Sequence, residues 1–582
     1  MPQQAPTGCS DSGRRVQQPV RQLYYDARVM SSHLVVAVIA LLSFAQAPPD
    51  RQSRVDEIFK EFTVPGSPGC AVAVYQDGRT VLSRAYGMAN LDHDVPLAPS
   101  SIFHVASVSK QFTAAAILLL AHDGKLALDD DIRKHLPELP DFGKRITVRH
   151  LIHHTSGIRD QWSLLGLAGW RYSHDLITDD DVLWVLSRQK DLNFTPGEQH
   201  LYSNSGYTLL AVIVSRTSSK SFREFTDDRI FKPLGMTNTH FRDDFAEIVK
   251  HQAYGYTRQD GKFKLSVTNF DTAGATSLLT TADDLAKWDA NFQKPVVGGA
   301  ALVAAMEERG RLNDGRDIDY ASGIVHGTHR GLTTLTHGGA DAGYRSALLR
   351  YPQQRFGVAT LCNLAQTNPT QLAQRVVEIY LGDQMQPVTA TAPVAEAEVA
   401  LPAAELTALA GLYWNARDAI ARRFVFEDGR LKMRTSPDQT ITLKSIGNRR
   451  FELENPSRTL SFESNRLTIA PESGTATTFE RVEQFTPTTP QLEAFAGAYR
   501  SDEIEATYRI VVKDGGLRLE RIKSNASMLE PLVTDTFASQ PGVIRFTRDA
   551  TGTVTGFVLE AGRVRGMKFW KETAQVRRLS NQ

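Results

Sequence analysis

Three cysteines in 582 residues, Cys9, Cys70 and Cys362, are too few for a disulfide scaffold or a cysteine-rich zinc site. An excess of one charge is also missing. The 66 Lys and Arg stand against 65 Asp and Glu, a net +1, so bulk electrostatics gives no footprint for nucleic acid. Long apolar runs are scarce. The one of note, residues 34–42 (Leu-Val-Val-Ala-Val-Ile-Ala-Leu-Leu), is shorter than the roughly 20 residues of a membrane-spanning helix. Ala45-Gln46-Ala47 and Pro48-Pro49 follow it. The pattern predicts a secretory leader cut after Ala47, with Met30 as an alternative start, and hence a secreted or periplasmic protein with no stable membrane span. With 41% hydrophobic and 23% charged residues the remainder is globular in composition. Its length calls for two to four domains.

Residues 69–90 alternate around Gln76-Asp77-Gly78-Arg79, a hairpin signal. Residues 107–123 form a helix apolar nearly all round, stopped at Gly124, and so expected to be buried. A helix-rich stretch runs to about residue 300, in which Thr281 and Asp284 make a capping box for a helix through Trp288. Strand patterns return at 331–336, 344–351 and 356–362, before a helix over 369–381 that ends at Gly382. Strands at both ends with helices between predict an α+β domain: one antiparallel sheet flanked by helices, with an inserted helical region. The Pro/Ala/Thr-rich residues 384–402 read as a linker. Beyond them Leu406–Tyr413 matches Leu492–Tyr499, and the same 86-residue offset carries Asp428-Gly429 onto Asp514-Gly515 and Phe451 onto Phe537. That repeat predicts one or two small antiparallel β-barrels. The expected division is 1–47 leader region, 48–383 main domain, 384–402 linker, 403–485 first repeat and 486–582 second repeat.

Three segments carry chemistry. Ser107-Val108-Ser109-Lys110 opens the buried helix, and one helical turn sets Ser107 and Lys110 on one face. A serine hydroxyl needs a base, and a desolvated lysine can serve. The helix N-terminus also offers unsatisfied N–H groups to an oxyanion. A second S-x-x-K, Ser187–Lys190, runs into polar residues and reads as a solvated surface segment. Tyr202-Ser203-Asn204 supplies a phenol for proton transfer and an amide able to donate to a substrate carbonyl. His337-Gly338-Gly339-Ala340 is expected to end a strand over Leu332–Thr336. Its glycines let a substrate backbone lie close, and the Ala340 amide can act as a second oxyanion donor beside that of Ser107.

In this order the three segments resemble the active-site set of the serine β-lactamase and penicillin-binding-protein superfamily: S-x-x-K, Y-x-N and a K-T-G-type strand motif. The tyrosine variant is similar to the branch of class C β-lactamases, D-alanyl-D-alanine carboxypeptidases, D-aminopeptidases and family VIII esterases. Leu151–Gly157 and Phe231–Met236 also look like that branch. The resemblance, over about residues 55–385, implies a β-lactamase/transpeptidase-like fold and a serine hydrolase without cofactor or metal. Ser107 is implied as nucleophile, Lys110 and Tyr202 as proton carriers, Asn204, His337, Gly338 and Gly339 as substrate-binding residues, and the Ser107 and Ala340 amides as the oxyanion hole. Histidine and glycine replace the Lys-Thr of many β-lactamases. A mostly neutral imidazole suits a carboxylate poorly, which favours small amide, peptide or ester substrates. β-Lactam hydrolysis is one alternative; non-catalytic binding of cell-wall peptides is another. The two repeats resemble the D-aminopeptidase arrangement, in which a barrel loop reaches the active-site mouth. Cys70 and Cys362 are expected as buried free thiols, with a cross-strand disulfide as the alternative. His150 and His154, four apart, are expected to pack rather than bind zinc. The basic Gly562–Gly566 segment reads as a solvated barrel strand, with anion contact as the alternative.

Overall fold

The computed structural model describes residues 50–387, 398–436, 439–453, 458–471 and 476–572. The leader-like segment, Cys9 and most of the linker lie outside the described residues. Among the described residues no helix is long and apolar enough to cross a membrane.

A six-stranded antiparallel sheet organises the main domain. In chain order its strands are β1 (Cys70–Gln76), β2 (Arg79–Tyr86), β3 (Val325–His329), β4 (Leu332–Asp341), β5 (Tyr344–Tyr351) and β6 (Phe356–Cys362), and across the sheet they run β3-β4-β5-β6-β1-β2. The β1–β2 turn is Asp77-Gly78, both residues at positive φ (52° and 73°), as a two-residue hairpin turn requires. Strand alternation feeds two cores. Ala71, Ala73 and Tyr75 of β1 face one cluster, and Val72 and Val74 face the other. The second cluster is closed by helices α1 (Arg51–Ile58) and α5 (Pro369–Leu381). The first is the larger core, containing α2 (Ser109–His122), α3 (Asn204–Ser218) and α4 (Ala282–Gln293). All but the last two residues of α2 are buried, as its uniform apolarity predicts.

Three sequence expectations are corrected here. The antiparallel register sets Cys70 directly opposite Cys362, and the two are joined in a disulfide rather than held as free thiols. The Thr281 hydroxyl caps α4 by accepting from the Asp284 amide at 3.1 Å, but the return half of the box is absent. The Asp284 carboxylate is spent instead on Asn238, Thr239 and Lys287. The strand bearing His337 does not stop at Thr336. Pairing with β5 carries β4 through Asp341, while β3 stops pairing at Val325↔Thr336. The strand therefore runs on with one edge open, and the motif lies on that edge.

The C-terminal repeat folds as two closed eight-stranded barrels, one from strands spanning 411–482 and one from strands spanning 497–571. Each opens with a short helix (Ala403–Leu409, Thr489–Phe495) and a first strand that starts at a positive-φ glycine, Gly411 or Gly497. In each the first-strand tyrosine donates to a helix carbonyl: Tyr413 to Leu409 at 3.1 Å, Tyr499 to Phe495 at 2.7 Å. The 86-residue offset thus equates buried aromatic plugs as well as Asp-Gly turns.

Candidate active site

Ser107 sits in a 3₁₀ turn, Ala106–Val108, that leads into α2. Ala106 before it has φ 49°, a backbone region costly for a residue with a Cβ. The turn is pinned from two sides. The Ser109 hydroxyl donates to the Ala106 carbonyl at 2.5 Å and accepts from the Leu278 amide at 3.1 Å. The Ser346 hydroxyl of β5 donates to the Val105 carbonyl at 2.7 Å. Ser107 is left half-buried between buried neighbours, facing a cleft of about 750 Å³ also lined by Tyr202, Asn204 and the 337–341 edge.

Lys110 is fully buried. Its Nζ donates to Ser107 Oγ at 3.0 Å, Asn204 Oδ1 at 2.9 Å and the Ala275 carbonyl at 2.7 Å. Burial pulls its pKa down to about 7, a drop also driven by Arg563 and opposed by the Asp160 and Asp341 carboxylates. Much of the lysine is therefore neutral near pH 7, the state a base needs. Lys110 Nζ lies 4.9 Å from the Tyr202 ring centroid. The Tyr202 hydroxyl is buried without a hydrogen bond of ordinary geometry. Burial raises its pKa well above the usual phenol range, an increase that nearby Ser107 and Arg563 moderate.

Asn204 opens α3, two residues earlier than the apolar pattern at Gly206-Tyr207 suggests. Its backbone N–H and its side-chain Nδ2 both donate to Asp160 Oδ2 at 2.8 Å. Asp160 thus fixes the amide with oxygen toward Lys110 and commits one of the two Nδ2 hydrogens, leaving one for a substrate. His337 is buried. Its Nδ1 is 2.7 Å from the Gly338 carbonyl, so Nδ1 carries the hydrogen and Nε2 accepts from the Tyr320 hydroxyl at 3.1 Å. Burial, helped by the Lys110 charge, lowers the His337 pKa to about 4. This imidazole is neutral and already partnered on both nitrogens. Gly339 has no room for a Cβ, which would come within 2.3 Å of Ser346 Oγ and of the Val105 carbonyl. Gly338 and Ala340 line the cleft beside it.

The structure therefore brings all the residues expected from the three motifs around one cavity. It leaves the zinc-spaced histidines apart in role. His150 Nδ1 completes a capping box with Thr147, and His154, at φ 57°, stacks 4.2 Å from the Tyr202 ring. The second S-x-x-K segment is not free surface. Gln189 is buried against the second barrel and donates to the Glu503 carbonyl at 3.0 Å.

Two contributors escape motif reading. Asp160 is a buried carboxylate whose only sequence signal is its place as N-cap of the apolar run Gln161–Ala168. Arg563 occupies the two-residue turn, Gly562-Arg563, between barrel strands Val554–Ala561 and Val564–Lys571. It lines the Ser107 cleft with its guanidinium carbon 5.0 Å from the Tyr202 ring centroid. The expected solvated strand is thus a hairpin tip set in the cleft beside Ser107. Contacts to the main domain hold it there. The Arg563 carbonyl accepts from the Asp160 amide at 3.3 Å and from Asn193 Nδ2 at 2.9 Å. Arg159, almost fully buried, donates to the Arg565 carbonyl at 2.7 Å and to Glu503 Oε2 at 2.6 Å.

A family model described as Beta-lactamase matches residues 55–381. Penicillin-binding protein 4* of Bacillus subtilis (strain 168) is 29% identical over 408 residues, covering 67% of this chain and 87% of that one. The D-aminopeptidase of Gluconobacter oxydans (strain 621H) is 27% identical over 368 residues, 63% of this chain and 67% of that one. Among solved structures, the octameric penicillin-binding protein homologue from Pyrococcus abyssi superposes with a TM-score of 0.53 at 21% identity, covering 82% of this chain and 98% of that chain, a likeness of fold.

Proposed function

The chain belongs to the Beta-lactamase family, and from that premise we propose that this serine hydrolase acts through an acyl-enzyme on Ser107, cleaving a small amide, peptide or ester. Carrying the proposal is one observation: the Lys110 amine, its pKa lowered to about 7, lies 3.0 Å from the Ser107 hydroxyl. Ser107 Oγ attacks the substrate carbonyl carbon as its proton passes to Lys110 Nζ. The tetrahedral oxyanion is held by the Ser107 and Ala340 amides, preorganised dipoles that need no rearrangement as charge develops. Collapse breaks the bond to the leaving group, which takes a proton relayed through Lys110 and Tyr202. Water then attacks the acyl carbon by the same route in reverse. Asn204, oriented by Asp160, holds the acyl side. Export is expected from the leader-like residues 34–47.

The likeness to a D-aminopeptidase supports peptide chemistry among the alternatives. A fluorophosphonate probe tests the reading: it labels the wild-type chain and spares Ser107→Ala. Lys110→Ala and Tyr202→Phe each lower kcat by on the order of 10²–10⁴, the range for losing acid–base assistance. No labelling, together with no turnover of an ester, a D-amino-acid amide or a cephalosporin, removes the proposal and favours a binding protein.

A further inference from the structure

We infer that Arg563, carried into the cleft by the second barrel, recognises a carboxylate on the leaving-group side of the substrate; the inference rests on the acyl-enzyme reading above. The cleft edge itself offers no cation. His337 is neutral with both nitrogens engaged, and Gly338 has no side chain to donate.

Three cationic side chains come near the cavity, and two of them donate hydrogen bonds within the fold. Lys110 Nζ is engaged by Ser107 Oγ, Asn204 Oδ1 and the Ala275 carbonyl. Arg345 turns Nη1 onto the carbonyls of Ala342 and Tyr344 in its own hairpin, at 3.0 and 2.7 Å. The Arg563 guanidinium donates no hydrogen bond among the described residues. Its closest anion is Asp160 Oδ2 at 3.7 Å, beyond hydrogen-bond reach, and that oxygen already accepts two N–H groups of Asn204.

The side chain is 44% exposed, yet its backbone is tied down by Asp160 and Asn193. Its root is fixed while the fork, in a long ion pair with Asp160, keeps its N–H donors free of hydrogen bonds, the shape that matches a carboxylate through two parallel bonds. Tyr202 is the group proposed to hand a proton to the leaving group, and Arg563 stands over its ring. An anion on this fork therefore belongs to the departing half of the substrate. A substrate of this class releases a carboxylate-bearing amine or alcohol, as a peptide cut near its C-terminus does.

Matched esters of N-phenylacetylglycine with meta-hydroxybenzoic acid and with meta-hydroxybenzamide differ only in the leaving-group charge. The full chain is expected to show a kcat/KM about 10–100-fold higher for the acid, the usual worth of a charge-assisted hydrogen-bond pair. Arg563→Gln brings the ratio of the two toward one, Arg563→Lys restores part of it, and Arg563→Glu inverts it. Fluorophosphonate labelling of Ser107 in each variant reports an intact site. A wild type that prefers the amide, or a preference that survives in Arg563→Gln and Arg563→Glu, overturns the inference and leaves the acyl-enzyme reading standing. Labelling failure with no turnover of either ester overturns both.

Discussion

Lys110 shows how one residue's chemistry is made by its surroundings. In water its amine is a cation at neutral pH, but removal from solvent disfavours the charged form and brings its pKa to about 7. The sign of the pH effect follows. As base the amine must be unprotonated, so kcat/KM on an uncharged ester is expected to rise with pH through a limb near 7. Arg563 repels the lysinium and contributes to the lowering. Arg563→Gln should therefore move that limb to higher pH, whereas Asp160→Asn, which removes an attractive carboxylate, should move it lower. Stopped-flow profiles of the three proteins between pH 5 and 9 decide it; superimposable limbs would show that a different group titrates. The sequence reveals the S-x-x-K pair because helical spacing alone brings i and i+3 together. Asp160 was not legible as a partner, since it reaches Asn204 from 44 residues away.

At the scale of elements, the informative one is β4. Its alternation ends where His337-Gly338-Gly339 begins, which is why a pattern reading stops the strand at Thr336. The strand persists because β5 supplies pairing partners that no local propensity records. Losing β3 on the other side leaves an open edge beside the Ser107 turn. Gly339 lets that edge approach: the Ser346 and Val105 oxygens occupy the space a methyl group would take. Gly339→Ala is expected to push the strand off the nucleophile and lower kcat at least ten-fold. The loss in thermal stability should stay modest, because the remaining pairs of β4 are intact. Unchanged steady-state rates would mean that the edge does not hold the reacting carbonyl. The hairpin tip at Arg563 is the complementary case. Two residues between alternating strands predict a turn, but not what the turn touches.

For the whole molecule, the second barrel contributes Arg563 to the lining of the cleft that holds Ser107. Arg159 and Glu503 form a buried ion pair, with both side chains almost wholly shielded. Glu503 also accepts from the Lys190 amide at 2.9 Å. Removing one partner of such a pair leaves an uncompensated charge and costs about 3–5 kcal/mol. At about 1.4 kcal/mol per decade, Glu503→Ala should raise the opening equilibrium of the docked hairpin, residues 554–571, by roughly two to three and a half decades. Hydrogen exchange followed by mass spectrometry reads this directly; protection equal to wild type in that hairpin would show that the barrel is held elsewhere. KM for the carboxylate ester should rise in the same variant, because Arg563 is presented by the hairpin that loosens.

The sequence by itself determined what depends on short range or on repetition. Helical spacing set Ser107 and Lys110 on one face, alternation and Asp-Gly turns marked the strands, and an 86-residue offset announced a repeated barrel unit, as one barrel or two. Only the tertiary structure decided what depends on contacts between distant segments: the Cys70–Cys362 bond, the Asp160 clamp on Asn204, the open edge of β4 and the entry of Arg563 into the cleft. A charge on a two-residue turn looks the same in a sequence whether it meets water or the ring of Tyr202. The difference is made by the packing of one folded unit against another.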